Sequence, residues 1–188
     1  MDVYFLCTQG VIRVYKLQVG DVILVHNDTF LSDLVVRGEE LELLRKGEKW
    51  PSRPIYSHAA VYIGDGNIVE AVGRGVTVSR LSKYYGKADI WSAKIHGIDR
   101  VQMRKTALDM VVQHYAYSWW LDVILTVRMT LGLRLRWVQR HAVNCSAATW
   151  DVWDSAGHKI AVSRACSPED VAMWGYLEFM GQLGAKGD

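Results

Sequence analysis

The chain has few of the residues on which small secreted or metal-stabilised domains depend. Its three cysteines, Cys7, Cys145 and Cys166, include no C-x-x-C pair, which excludes a zinc ribbon and a thioredoxin-type motif. Asp122 and Arg128 interrupt the most apolar run, residues 119–133, which argues against a membrane span. The net charge of +2 is too small to predict binding to nucleic acid.

Several motifs of common enzyme classes are also absent. No G-K-[ST] follows a glycine-rich loop, and neither H-E-x-x-H nor G-x-S-x-G occurs. These absences exclude a P-loop, a zinc-protease helix and the nucleophile elbow of serine hydrolases. The first residues, M-D-V-Y-F-L-C, have an acid where a secretion signal carries lysine or arginine. We therefore expect no conventional signal peptide and a cytoplasmic or virion-associated location.

The composition that remains is typical of a compact globular protein. Half of the 188 residues are hydrophobic and 22% are charged. The length fits one domain, residues 1–188. Strand-like segments precede helical ones, which predicts an α+β fold with a small antiparallel sheet packed against helices.

Hydrophobic spacing and turn residues predict where these elements lie. Part of 30–46 is predicted to be helical, and 50–54 is predicted to be a loop. The predicted strands are 21–26, 58–63, 68–72, 76–78, 88–95 and 176–183. The predicted helices are 81–85, 99–116, 119–140 with a possible break at Gly132, 145–156 and a short one that starts at Pro168.

Cys145 is the cysteine whose context suits a nucleophile. It lies in N-C-S-A-A-T-W, where Asn144 can cap a helix whose first turn contains the thiol. The N–H groups at a helix N-terminus carry partial positive charge, which stabilises a thiolate and an oxyanion. A buried, inert cysteine is the alternative interpretation. Cys7 and Cys166 lack such a context and are interpreted as structural.

His58 and Glu70 are the predicted partners of this thiol. His58 opens a strand in S-H-A-A-V-Y-I-G, at a sheet end where a general base can face a cleft. Glu70, on the neighbouring strand, can accept the second imidazole N–H and fix the tautomer. A plain two-residue turn at 65–66 would place Glu70 on the opposite face from His58. The arrangement therefore requires an extra loop residue or a β-bulge.

These segments together resemble a known family. S-H-A-A-V-Y-I-G-D-G-N-I-V-E-A resembles the histidine hairpin of NlpC-type papain-like peptidases, and N-C-S-A-A resembles their nucleophile turn. L-Q-V-G-D-V-I-L-V resembles the strand that precedes the hairpin. Because Cys145 follows His58, the order resembles the circularly permuted branch, which includes the YiiX-like hydrolases and the lecithin:retinol acyltransferase-like enzymes. The resemblance implies a permuted papain-like fold in which Glu70 faces His58.

The resemblance also implies an activity. It implies a cysteine peptidase or amidase in which Cys145 attacks, His58 carries the proton and Glu70 orients the ring. The implied substrate is a peptide amide, above all in the stem peptide of the cell wall (peptidoglycan). No ligands cluster at metal spacing, so we expect no metal and no organic cofactor. Virion proteins are the partners to expect if a bacteriophage carries the enzyme.

Two aromatic residues are predicted to line the substrate groove, Tyr117 as a hydroxyl donor and Trp50 as an apolar wall. In the permuted branch a tyrosine often precedes the cysteine, and Tyr115 or Tyr117 can take that place. Packing of the groove aromatics in the core is the alternative.

Two other functions stay open. The tryptophans and arginines of segment 119–141 fit an anionic membrane surface, which would suit a lipid-directed acyltransferase or lipase. A non-catalytic structural or virion component on the same scaffold is the third interpretation. An intact set of cysteine, histidine and glutamate argues against it, because a binding protein needs no such set.

Overall fold

The main element of the fold is an eight-stranded antiparallel sheet. The computed structural model describes residues 3–8, 11–26, 55–132, 141–161 and 163–184, with isolated positions between 37 and 47. The strands are β1 (Val3–Thr8), β2 (Val11–Lys16), β3 (Val22–Val25), β4 (His58–Gly64), β5 (Asn67–Val72), β6 (Gly75–Arg80), β7 (Ala88–Ala93), β8 (Ala116–Tyr117), β9 (Ala142–Val143) and β10 (Leu177–Leu183). The order in the large sheet is β2-β1-β10-β7-β3-β4-β5-β6, and β8 and β9 form a separate parallel pair.

Most helices whose bounds lie in the described ranges are in the second half of the chain. They are α1 (Arg100–Val112), α2 (Trp119–Leu131), α3 (Cys145–Asp154) and α4 (Pro168–Ala172), and a 3₁₀ helix spans Leu81–Tyr84. The mixed α+β class and the antiparallel sheet agree with the expectation from sequence. None of the helices in the described ranges has the length and apolar character that crossing a membrane requires.

Both faces of the sheet are buried at its centre. Along β3, Val22 and Leu24 belong to a core that includes Trp153 of α3. Ile23 and Val25 belong to a second core, which the 3₁₀ helix covers from the other side. Successive side chains of a strand point to opposite faces, so a strand buried on both sides reads as the continuous apolar run V-I-L-V.

The hairpin that joins β4 to β5 contains a bulge. Its Asp65–Gly66 turn has φ values of 56° and 68°, which are the positive values that a type I′ turn requires. The pairing shifts between Tyr62 and Gly64, and Ala60 lies opposite Glu70. The shift adds one residue to β4, so the pairing of the two strands beyond it is offset by one position. An offset of one position changes which side chains of β4 and β5 share a face of the sheet.

The sheet is larger than the sequence indicated. Residues near the start of the chain form β1 and β2, to which no strand was assigned, and β1 pairs with β10 through Leu6 and Leu183. No local turn or spacing predicts a pairing between residues so far apart in the chain.

Helix α2 covers the first part of the predicted segment 119–140. It ends at Leu131, where Gly132 adopts a left-handed conformation with a φ of 71° and caps the helix. The break that the sequence predicted as possible at Gly132 is therefore present, and residues 133–140 lie outside the described residues. Most of the predicted segment 30–46 and all of the predicted loop 50–54 lie outside them as well.

Candidate active site

Helix α3 begins at a buried thiol. The side-chain oxygen of Asn144 accepts a hydrogen bond from the N–H of Ala147 at 2.9 Å and so caps the helix. Cys145 is the first residue of the helix and is 8% exposed. Helix α3 packs on β4 and β5. The helix dipole favours negative charge at this end, so the cap places the thiol where a thiolate is stabilised.

The bulge in the hairpin brings His58 and Glu70 together. Since Ala60 pairs with Glu70, His58, two residues earlier on the same strand, shares the face of Glu70. Nε2 of His58 lies 2.8 Å from Oε2 of Glu70, and the two side chains are 14% and 0% exposed. The register that the sequence analysis required is therefore present.

The ring of His58 also contacts the thiol. Because Nε2 bonds to Glu70, Nδ1 is the nitrogen left for Cys145, and the two side chains share a hydrogen bond. Burial by itself would lower the pKa of His58, but the hydrogen bonds with Cys145 and Glu70 raise it to about 9. Burial would raise the pKa of Cys145, but the bond and charge of His58 lower it, aided by the backbone of Ala59. The contact therefore shifts both groups toward thiolate and imidazolium.

Four side chains donate hydrogen bonds to the buried carboxylate of Glu70. The hydroxyl of Tyr84 donates to Oε2 at 2.6 Å and Nζ of Lys83 to Oε1 at 2.8 Å, and His58 and Ser79 complete the set. Burial would raise the pKa of Glu70, but the bond and charge of His58, followed by the other donors, hold it well below its usual range. Sequence analysis missed Lys83, Tyr84 and Ser79, because no local pattern shows that they pack onto β5.

A second polar cluster adjoins the thiol. Strand β8 places Tyr117 opposite Val143, two residues before Cys145. The hydroxyl of Tyr117 donates to Asp122, which also accepts from Nδ2 of Asn144 at 3.1 Å. Burial raises the pKa of both Tyr117 and Asp122. One asparagine thus caps α3 and ties it to α2, a link that sequence analysis did not foresee.

The structure places one of the two predicted groove residues near the site. Tyr117 is close enough to Cys145 for their charges to interact, and its ring centre lies 4.8 Å from that of Trp119. Because the hydroxyl of Tyr117 donates its hydrogen to Asp122, its oxygen can only accept a hydrogen bond from a ligand. The sequence predicts a donor at this position instead. Trp50 lies outside the described residues, so its predicted role stays a prediction.

Tyr115, the other tyrosine that precedes the cysteine, lines a different feature. It borders a cavity of about 340 Å³ between α1 and α3, together with Asp109, Asp151 and Asp154. The residues that line this cavity do not include the thiol, its histidine or its glutamate. Tyr117 is therefore the better candidate for the tyrosine of the site.

Cys145 is expected to react with iodoacetamide at neutral pH faster than Cys166. Alkylation requires a thiolate, and the lowered pKa of Cys145 should bring its rate to a plateau below the ordinary thiol pKa of about 8.5. Burial raises the pKa of Cys166, so that thiol stays protonated. Peptide mapping after brief labelling of the folded protein, at a series of pH values, measures the rates. Faster labelling at Cys7 or Cys166 would contradict the assignment.

Comparisons with known proteins show a shared fold. No protein-family model matches the chain, and no curated protein matches its sequence. Among solved structures, the crystal structure of metalloprotein yiiX from Escherichia coli O157:H7, DUF1105, is similar, with a TM-score of 0.61 at 14% sequence identity. The match covers 90% of this chain and 99% of that one. At this identity the similarity shows a YiiX-like fold and assigns no role to any residue.

The similar structure is named a metalloprotein. The described part of this chain contains no group of metal ligands. Within the ranges that the structure describes, no three His, Cys, Asp or Glu side chains are grouped so that they could hold an ion. The expectation that no metal or cofactor is needed stays a prediction.

Proposed function

We propose that the protein is a papain-like cysteine hydrolase of the permuted NlpC type that cleaves an amide bond. One observation carries this proposal: Cys145, at a helix N-terminus, is bonded to His58, which is bonded in turn to the buried Glu70. This is the order of nucleophile, base and orienting group that covalent hydrolases use. The position of Cys145 after His58 and the YiiX-like fold both support the permuted branch.

The first half of the reaction forms a thioester. The thiolate of Cys145 adds to the amide carbonyl carbon, which forms a C–S bond and moves an electron pair onto the oxygen. The N–H groups of Cys145 and Ser146, in the first turn of α3, can stabilise that oxyanion. The imidazolium of His58 donates its proton to the leaving nitrogen as the C–N bond breaks, and a free amine departs.

The second half hydrolyses the thioester with the same histidine. The neutral imidazole of His58 accepts a proton from water while the water oxygen attacks the carbonyl carbon. The C–S bond then breaks, a carboxylic acid leaves, and the thiolate of Cys145 is restored beside the imidazolium. Glu70 holds Nε2 throughout, which keeps Nδ1 directed toward the sulfur.

The substrate proposed is a peptide amide, with the stem peptide of peptidoglycan as the first choice. The resemblance of the histidine hairpin and the cysteine turn to NlpC-type peptidases supports this choice. Peptides or cell-wall fragments are then the partners, joined by virion proteins if a bacteriophage carries the enzyme.

An exposed apolar face beside the site favours a second candidate, a lipid-directed acyltransferase or lipase. Trp119, Trp120, Val123 and Leu131 of α2 are all exposed. Trp119 contacts Tyr117, so this face continues to the neighbourhood of the thiol. An amphipathic helix with exposed tryptophans can lie on a lipid surface.

Arg128, the arginine of segment 119–141 that lies in the described residues, is bonded within the protein. Arg128 donates to a carboxylate oxygen of Asp170 at 2.6 Å and to the carbonyl oxygen of Ala165 at 3.0 Å. Its charge is therefore compensated within the protein. The later arginines of the segment lie outside the described residues. The peptide amide remains the first candidate.

One assay separates these candidates. The chain is incubated with stem-peptide fragments and, separately, with vesicles of anionic phospholipid, and the products are identified by mass spectrometry. We expect new amino and carboxyl termini in the peptides, no released fatty acid, and no product with Cys145→Ala. Fatty acid release without peptide cleavage would replace the first candidate by the second. Absence of both reactions would contradict a hydrolase and support a non-catalytic component.

A further inference from the structure

The 3₁₀ helix holds a lysine against the carboxylate that orients His58. Nζ of Lys83 lies 2.8 Å from Oε1 of Glu70, while Tyr84 and His58 bond to Oε2 at 2.6 and 2.8 Å. The same Nζ lies 4.9 Å from the centre of the Tyr84 ring. The cation is therefore held by a carboxylate and an aromatic face, although the Lys83 side chain is half exposed and Glu70 is fully buried.

The charges around Glu70 determine how strongly this carboxylate raises the pKa of His58. A buried carboxylate alone would favour the imidazolium strongly, because little solvent screens the attraction. A cation that is held by the same carboxylate offsets part of its negative charge and reduces that preference. The groups facing Glu70 are His58 from β4 with Cys145 of α3 beyond it, Ser79 from β6, and Lys83 and Tyr84 from the 3₁₀ helix.

We propose that Lys83 is a positioning residue that acts through Glu70 and lowers the affinity of His58 for its proton. The inference rests on the proposed function, in which His58 must release a proton and take one up in every cycle. A general acid works best when its pKa lies near the working pH. Lys83 fixes the carboxylate and offsets its charge, so the Glu70–Lys83 pair acts on the ring with less than a full negative charge.

An NMR titration of the imidazole resonances of the full chain tests the inference without any substrate. Lys83→Met removes the charge and keeps the side-chain length, and it should raise the pKa of His58 by about half a unit or more. Lys83→Arg keeps the charge and should leave the pKa within error of the wild type. Lys87→Met is the matched control, since it removes an exposed lysine from the following turn. The His58 resonance is identified by its loss in His58→Gln.

A double variant shows whether the effect passes through the carboxylate. If it does, adding Lys83→Met to Glu70→Gln should shift the pKa of His58 by less than half of the shift seen in the single variant. An equal shift in both backgrounds would overturn the inference, as would an unchanged or lowered pKa in Lys83→Met. Circular dichroism of each variant verifies that it is folded.

Catalysis provides a second readout that separates this inference from the proposed function. The imidazolium of His58 is lost near pH 9, so kcat/KM should fall there, and Lys83→Met should move this fall to higher pH. Hydrolysis with an unchanged pKa of His58 would overturn the inference alone. A shifted pKa without hydrolysis of any substrate would support the inference and overturn the proposed function.

Discussion

Replacing Cys145 with alanine is expected to lower kcat by at least about 10⁴-fold. The sulfur forms the covalent bond of the intermediate, and the lowered pKa of Cys145 increases the fraction of the thiol that is present as thiolate. The hydroxyl of Ser146 lies 3.8 Å from the sulfur, but it is fully buried and is an alcohol, whose proton is much harder to remove. The loss is measured on the peptide that the wild-type protein cleaves.

Cys166→Ala is the matched control for this prediction. Cys166 is also a free, buried cysteine, but the proposed mechanism does not use it. We expect the Cys166→Ala variant to remain as active as the wild type. We expect both alanine variants to lose about 1 kcal/mol of folding stability, measured by thermal unfolding. Near-normal activity in Cys145→Ala would refute the nucleophile. If Cys166→Ala were folded but inactive, the nucleophile would have to be reassigned to Cys166.

Replacing His58 with alanine is expected to lower kcat/KM by about 10² to 10⁴-fold. The variant loses the proton carrier, and it also loses the hydrogen bond and positive charge that lower the pKa of Cys145. Two readouts should therefore fall together, namely hydrolysis and the rate at which iodoacetamide labels Cys145 at neutral pH. Slow hydrolysis with unchanged labelling would show that another group stabilises the thiolate.

Glu70→Gln calibrates the same prediction, since it should cost less, about 10 to 10²-fold. The amide oxygen can still accept from His58, but the amide NH₂ then meets Lys83, which bonded to the second carboxylate oxygen. Because Lys83 is half exposed, it can turn toward water. Unchanged activity would show that Glu70 does not position the ring. A loss as large as that of His58→Ala would show that Glu70 does more than orient it.

The hairpin shows how far local sequence signals predicted the site. The apolar runs and the Asp65–Gly66 turn predicted strands at 58–63 and 68–72, and the structure has them at His58–Gly64 and Asn67–Val72. The face on which Glu70 lies was not decided by this pattern, because a turn of two residues and a turn with a bulge have the same sequence signals. The shift between Tyr62 and Gly64 decided it.

The sequence by itself determined the elements that contiguous residues specify. Asn144 before Cys145 predicted the capped start of α3, since capping depends on a side chain and the next few N–H groups. The short apolar runs predicted the central strands for a similar local reason, because a strand buried on both faces is apolar at successive positions.

Only the tertiary structure decided which distant groups meet. It packed α3 against β4 so that Cys145 contacts His58, and it brought Lys83 and Tyr84 onto Glu70. It also paired β1 with β10. Contacts of this kind depend on how whole helices and strands pack. The packing energy is summed over the entire core, so no short segment of the chain determines it.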